Sequence, residues 1–297
     1  MSMHPEDFKI PSGKPVDLKT YPSSWTPNWA KEEKNKKTLK QHASAILAEN
    51  RQKLINEQEL LWASDTYAML IILQGMDAAG KDNTIRHVMS GVNPQGCEVK
   101  SFRTPSEEEL DHDFLWRHQK ALPERGRIGI FNRSYYEDVL IVKVRPEVLR
   151  KNKLPPHTEG DAFWSQRYED INCFERHLIR SGTVMLKFFL HISKKKQKER
   201  LLKRLEKPDK YWKFSLTDLS ERSKWQQYQQ AYEEMLSKTS TAWAPWHIIP
   251  ADKKWVAHAL ISEIIVTQIE KLNLHYPVVD NAQKEALAKA KEELEKE

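Results

Sequence analysis

Glycine is scarce in this 297-residue chain, with nine copies against 48 lysines and arginines and 42 aspartates and glutamates. That excludes a collagen-like or low-complexity chain, and it gives weight to any glycine that falls in a pattern. Cysteine is scarcer still. Cys97 and Cys173 stand alone, which excludes a disulfide scaffold and a cysteine-built zinc site and points to a reducing compartment. No apolar run reaches the roughly 20 residues a membrane-spanning helix needs. The opening MSMHPEDFKI lacks the apolar stretch of a secretory signal. The expectation is a cytoplasmic protein with no membrane partner. What the chain has is charge, with a net +6, so an anionic partner is expected. Nucleic acid, an acidic membrane surface or a phosphorylated small molecule would each satisfy it.

The chain is long enough for one large α/β domain or two small ones. Residues 1–30 are proline-rich and aperiodic, and read as an irregular arm. A helix is predicted from Lys31 to about Ser64, with Leu39, Ala43, Ile46, Leu47, Leu54 and Leu61 at helical spacing. YAMLIILQ (67–74) is apolar on both faces, as a buried parallel strand requires. Ile85, Val88 and Met89 mark a short helix closed by Gly91. Further strands are predicted at 97–102, 127–131, 184–192 and 246–252, with an amphipathic helix over 107–122. Leu260, Ile261, Ile264, Ile265, Ile269 and Leu272 mark the last core helix, and 281–297 reads as a charged helical tail. Strand–helix alternation of this kind predicts a five-stranded parallel sheet between helices.

One motif sits where chemistry is expected. GMDAAGKD (75–82) follows a predicted strand and opens a predicted helix, the context that gives Gly-x-x-x-x-Gly-Lys its meaning. Its backbone N–H groups would curl around a phosphate at the positive end of the helix, and Lys81 would reach the outer phosphates. Gly75, Met76, Ala78, Ala79, Gly80, Asp82, Asn83, Thr84 and, further on, Glu137 form the candidate phosphate- and nucleotide-binding set. Asp82 replaces the usual hydroxyl ligand of magnesium. Asp77, a carboxylate inside a phosphate loop, would repel the ligand unless a divalent cation lay between them. Mg²⁺ is therefore expected, with Mn²⁺ able to substitute, and Asp77 is the first candidate ligand.

RIGIFNRSYYED (127–138) ends a second buried strand in a polar cluster. Acidic residues at that strand end usually hold the metal. Here Asn132 occupies the position, Arg133 follows to neutralise a transferring phosphoryl, and Glu137 is a second candidate metal ligand or a surface residue. A basic stretch over 194–224 reads either as a solvated face or as a mobile lid closing over phosphates. Arg200, Arg204, Lys207, Lys210, Lys213 and Arg222 are its candidate contacts. The helix within it would be capped by Asp218, with Glu221 three residues on.

Three segments, DAAGKDNTIRHVMSGVNPQG, SFRTPSEEELDHDFLWR and LPERGRIGIFNRSYYED, resemble the family 2 polyphosphate kinases, relatives of thymidylate kinase. The resemblance runs from about Lys31 to Leu274 and implies a single P-loop kinase domain over 31–280. It implies inorganic polyphosphate as donor and purine nucleotides as acceptors, with Asp77, Lys81, Asn132 and Arg133 catalytic and the 194–224 region as the polyphosphate lid. The Asn-Arg-Ser spelling is similar to the subclass that phosphorylates both AMP and ADP. A homo-oligomer, dimer or tetramer, is also expected. The rivals are an ATP-dependent nucleoside monophosphate kinase and a nucleic-acid-binding P-loop NTPase. The latter would interleave stacking aromatics with its cations, a pattern to which Tyr211 and Trp212 only hint.

Overall fold

The computed structural model describes residues 4–26, 36–155 and 160–297. The predicted helix start at Lys31 lies outside the described residues, and from Lys36 the helix runs unbroken to Ser64 (α1). Ala68–Gln74 (β1) is buried at every residue, because both faces of a parallel strand are covered. Cys97–Ser101 (β2), Ile128–Asn132 (β3), Thr183–His191 (β4) and Trp246–Pro250 (β5) complete a five-stranded sheet in the order β2-β3-β1-β4-β5. Every pairing is parallel. The flanking helices are Lys81–Val88 (α2), Asp161–Arg180 (α3), Lys194–Leu205 (α4), Leu216–Ser223 (α5), Trp225–Thr239 (α6) and Lys254–Glu270 (α7). Asn281–Leu294 (α8) follows and is exposed along its length. Among the described residues no helix is long and apolar enough to cross a membrane.

The strand order places the site. Consecutive strands run to one side of β1 and then the other, so the carboxyl ends of β1, β3 and β4 open a crevice at a reversal of direction. Register brings those ends level, with Leu73 opposite Asn132 and Gln74 opposite Phe189.

Three predicted features change. The helix expected over 107–122 is two single turns, Glu107–Leu110 and Trp116–Gln119. Asp113 breaks it: its side chain accepts from Leu115 N at 2.8 Å and its carbonyl from Trp116 N at 3.1 Å, local bonds that compete with helix. The lid helix α5 is capped by Ser215, and Asp218 closes the capping box from the third position instead of starting the helix. The arm also has more order than its prolines suggest. It forms two short 3₁₀ turns, Pro5–Phe8 and Leu18–Thr20, and buries Phe8, Ile10, Val16 and Leu18. Ile10 N donates to Trp246 O at 2.8 Å, so the arm covers the β5 edge that would otherwise be open.

Candidate active site

β1 ends at Gln74, and the chain doubles back through the loop before α2 begins. A Cβ at Gly75 would stand 2.8 Å from the Leu190 carbonyl oxygen of β4, and its φ is +151°. Only glycine lets the loop press this close to the sheet. Ala78 takes a left-handed φ of 62°, a strain of about 1 kcal/mol or more of the kind that gathers at ligand clamps. Gly80, at φ 110°, caps α2, leaving the helix's first N–H groups without intrahelical acceptors. Met76, Ala79 and Thr84 are buried in the loop and the helix it opens, and the Asn83 carbonyl pairs with His87 Nδ1 at 2.7 Å.

The charged side chains meet here. Lys81 is buried, and its Nζ donates to Gly75 O at 2.6 Å. Burial lowers its pKa and the Arg133 charge adds to that, while Asp77, Glu137 and Asp82 pull it back up. Arg133, left-handed at φ 66°, lies 2.7 Å from Asp77 Oδ1 and 4.0 Å from Glu137 Oε2. Those carboxylates, Glu137 foremost, raise its pKa and keep it charged. Asn132 Nδ2 donates to Asp82 Oδ1 at 2.6 Å. The amide at 132 thus answers the unusual acid at 82; an aspartate there would set two carboxylates in contact.

Sequence reasoning missed the supports. Gln74 donates to Glu137 Oε1 at 3.0 Å and accepts from Ser134 N at 3.2 Å in the amide orientation that satisfies both ends. Gln197 Nε2 donates to Asp77 O at 3.0 Å and in turn accepts from Arg222 Nη1 at 2.8 Å. Single glutamines give no motif signal.

The basic segment divides. Arg200, grouped with the lid by sequence, faces the loop instead. Nη1 donates to Ala78 O at 2.9 Å and Ala79 O at 2.7 Å, and Nη2 to Ala251 O at 2.5 Å and Asp252 O at 3.2 Å. Arg204 is held by Lys213 O and by Asp218 Oδ2, at 2.9 and 3.0 Å. Arg222 reaches back to Lys194 O at 2.8 Å. Lys207 and Lys213 are exposed and Lys210 half-buried. Lys210 belongs to a group with Arg200, Arg204 and Arg86 whose charge, after burial, lowers the Lys254 pKa.

Beside this centre lies a cavity of about 340 Å³ lined by Phe114, Arg117, Asp138, Phe163, Arg167 and Asp170, among others. The Arg167 guanidinium sits over the Phe114 ring at 4.0 Å and the Phe163 ring at 5.0 Å. Burial lifts the Asp138 carboxyl to about 6, against the opposing pull of Arg167 and Arg117. An acid whose folded pKa lies above its unfolded value loses stability as pH rises through the folded value. The window here runs from 3.8 to about 6. Asp138→Asn should therefore melt with wild type near pH 4 and be the more stable by up to about 3 kcal/mol at pH 8. Thermal unfolding at both pH values checks it, and a gap that does not move with pH refutes it.

A parallel sheet in this order, with a phosphate loop after its central strand and Asn132-Arg133 at the end of the neighbouring one, defines a P-loop kinase. The chain belongs to the polyphosphate kinase 2 family, whose model, Polyphosphate kinase 2 (PPK2), matches residues 36–277. It is 45% identical to an ADP-polyphosphate phosphotransferase of Rhodopseudomonas palustris, over 99% of both chains. It is 47% identical to an AMP/ADP-polyphosphate phosphotransferase of Meiothermus ruber, over 82% of this chain and 87% of that one. The crystal structure of Polyphosphate Kinase 2 from Arthrobacter aurescens superposes with a TM-score of 0.84 at 37% identity, covering 95% of each chain. The protein is a phosphotransferase.

Proposed function

We propose that this enzyme moves the terminal phosphoryl group of inorganic polyphosphate reversibly onto nucleoside mono- and diphosphates, AMP to ADP and ADP to ATP, with guanine nucleotides also accepted. The observation that carries the reading is the 2.7 Å ion pair between Arg133 and Asp77, which ties the strand-end arginine to the phosphate loop. Donor and acceptor follow from likeness over most of the chain to two proteins named for polyphosphate and for AMP or ADP. The neighbouring cavity, with rings and guanidinium groups on its walls, offers the acceptor a place.

The residues suit magnesium. Asp77 and Glu137 present partly exposed carboxylates to the same arginine, and among the described residues no cluster of three or more metal-binding side chains exists. Mg²⁺ commonly takes one or two carboxylates and completes its shell with water and substrate phosphate. Asp77 and Glu137 would hold it, and Mn²⁺ could replace it. Bound there, it would neutralise charge between two polyanions. The chain's own part is positioning and electrostatics. The loop amides and the α2 terminus seat the donor's last phosphates. Lys81 swings from Gly75 O to an outer oxygen, and Arg133 takes the equatorial charge of the transferring group. Lys207, Lys210 and Lys213 on the lid would face the rest of the polyanion. The enzyme would work in the cytoplasm as a homo-oligomer, for which the exposed Val99, Leu287 and Leu294 offer apolar surface.

Donor choice tests it. With Mg²⁺ and polyphosphate the purified protein should convert AMP, ADP and GDP to their next phosphates, and EDTA should stop the reaction. Transfer supported by ATP alone would leave an ordinary nucleotide kinase. Stimulation of nucleotide hydrolysis by single-stranded nucleic acid would favour the remaining rival.

A further inference from the structure

Lys187 lies in the middle of β4 and Glu175 in the carboxyl-terminal half of α3, and both side chains are fully buried. Lys187 Nζ uses all three of its protons, on Glu175 Oε2 at 2.6 Å, Thr239 O at 2.8 Å and Tyr136 OH at 3.0 Å. Glu175 Oε1 accepts from Tyr135 OH at 2.8 Å and from Tyr136 OH at 2.6 Å. The network is complete. A complete network still does not explain itself, because an apolar pair of the same volume would commonly hold a helix to a sheet as well or better. What an apolar pair lacks is the ability to fix two hydroxyls.

Those hydroxyls belong to the second and third residues after Arg133, at the start of the 3₁₀ turn Tyr135–Val139 that also carries Glu137. Arg133 itself is left-handed, a conformation that persists only where its surroundings hold it. From the front it is held by carboxylates a substrate would displace. From behind, the chain is pinned by the tyrosines.

We infer that Glu175 and Lys187 are positioning residues for phosphoryl transfer, acting through Tyr135 and Tyr136 on Arg133 and Glu137. Neither touches substrate. The inference rests on the function proposed above, in which Arg133 stabilises the transferring group. Burial agrees with it: both tyrosines are fully buried and each hydroxyl donates to the Glu175 carboxylate, away from solvent.

Tyr135→Phe/Tyr136→Phe removes only the two hydroxyls and is expected to fold. With polyphosphate and ADP, kcat should fall about tenfold or more while each KM stays within about twofold, since small displacements of a catalytic group cost rate before binding. Amide hydrogen exchange over residues 132–139 should quicken while β1 stays protected. The charge-neutral pair Glu175→Gln/Lys187→Met should do the same. Ile265→Val, a core change on α7, serves as a stability control and should leave kcat unaltered. Unchanged kcat in the tyrosine variant, or unchanged exchange over 132–139, overturns the inference. So does a kcat loss that the control reproduces at equal loss of melting temperature. Should the charge-neutral pair not fold, the tyrosine variant still decides. A wild-type protein that draws no phosphate from polyphosphate would refute the proposed function, and the exchange measurement would still judge the network.

Discussion

Lys81→Met should lower turnover by roughly 10²–10³-fold, the usual cost of one lost charge-stabilising group, and leave the melting temperature unchanged or slightly higher. The two halves of that expectation share one cause. In the folded chain the Lys81 ammonium is buried, and burial works against its charge. A lysine with a lowered folded pKa weakens the folded state whenever it is charged, so methionine relieves the chain of that burden. A phosphate would supply the missing counter-charge, and methionine cannot answer it. Turnover with polyphosphate and ADP, read beside a thermal melt, gives both numbers. A near-normal rate would remove Lys81 from the chemistry. An unfolded variant would make it structural.

Arg200→Met should harm both stability and rate. Its guanidinium joins two backbone corners, with one nitrogen on the phosphate loop at Ala78 and Ala79 and the other past β5 at Ala251 and Asp252. Hydrogen bonds from a charged donor are worth about 1.5–3 kcal/mol, and the four share one side chain, so a loss of about 3 kcal/mol is a fair expectation. The loop it releases should then seat the donor poorly, with turnover down roughly 10²-fold, as expected of a misplaced site. Arg200→Lys sharpens the point. A single ammonium cannot span a fork, so lysine should rescue little of either loss. A lysine variant with wild-type melting and rate would show that charge alone matters there.

Much of the fold was legible because its signals are local. Four apolar runs of strand length and the alternating segment 97–102, interspersed with helical periodicity, suffice for a parallel sheet, and glycine scarcity made the 75–82 loop stand out. Asn132 and Arg133 could be placed because they end one of those runs. Other features lay beyond local reading. The 107–122 segment has helical spacing, yet the Asp113 side chain outcompetes it. Arg200 sits among cations that do face solvent, and only the fold turns it toward the loop. Gln74, Gln197, Glu175 and Lys187 have roles made by partners far off in sequence, which periodicity cannot see.

The docking of the arm has a consequence during synthesis. Val16 N bonds to Ser237 Oγ across a separation of 221 residues, and Leu18 N bonds to Glu233 Oε1 across 215. At roughly 5–20 residues per second, a ribosome takes on the order of 10–45 s to cover that span. For that interval the backbone groups of Ile10, Val16 and Leu18 lack the partners on α6, β5 and the link between them that fix the arm in place. Meanwhile the phosphate loop and its strand emerge without the two strands that will lie to one side. The arm is among the early segments to be made and can be among the last to fold, so its docking marks the moment when β5 is complete.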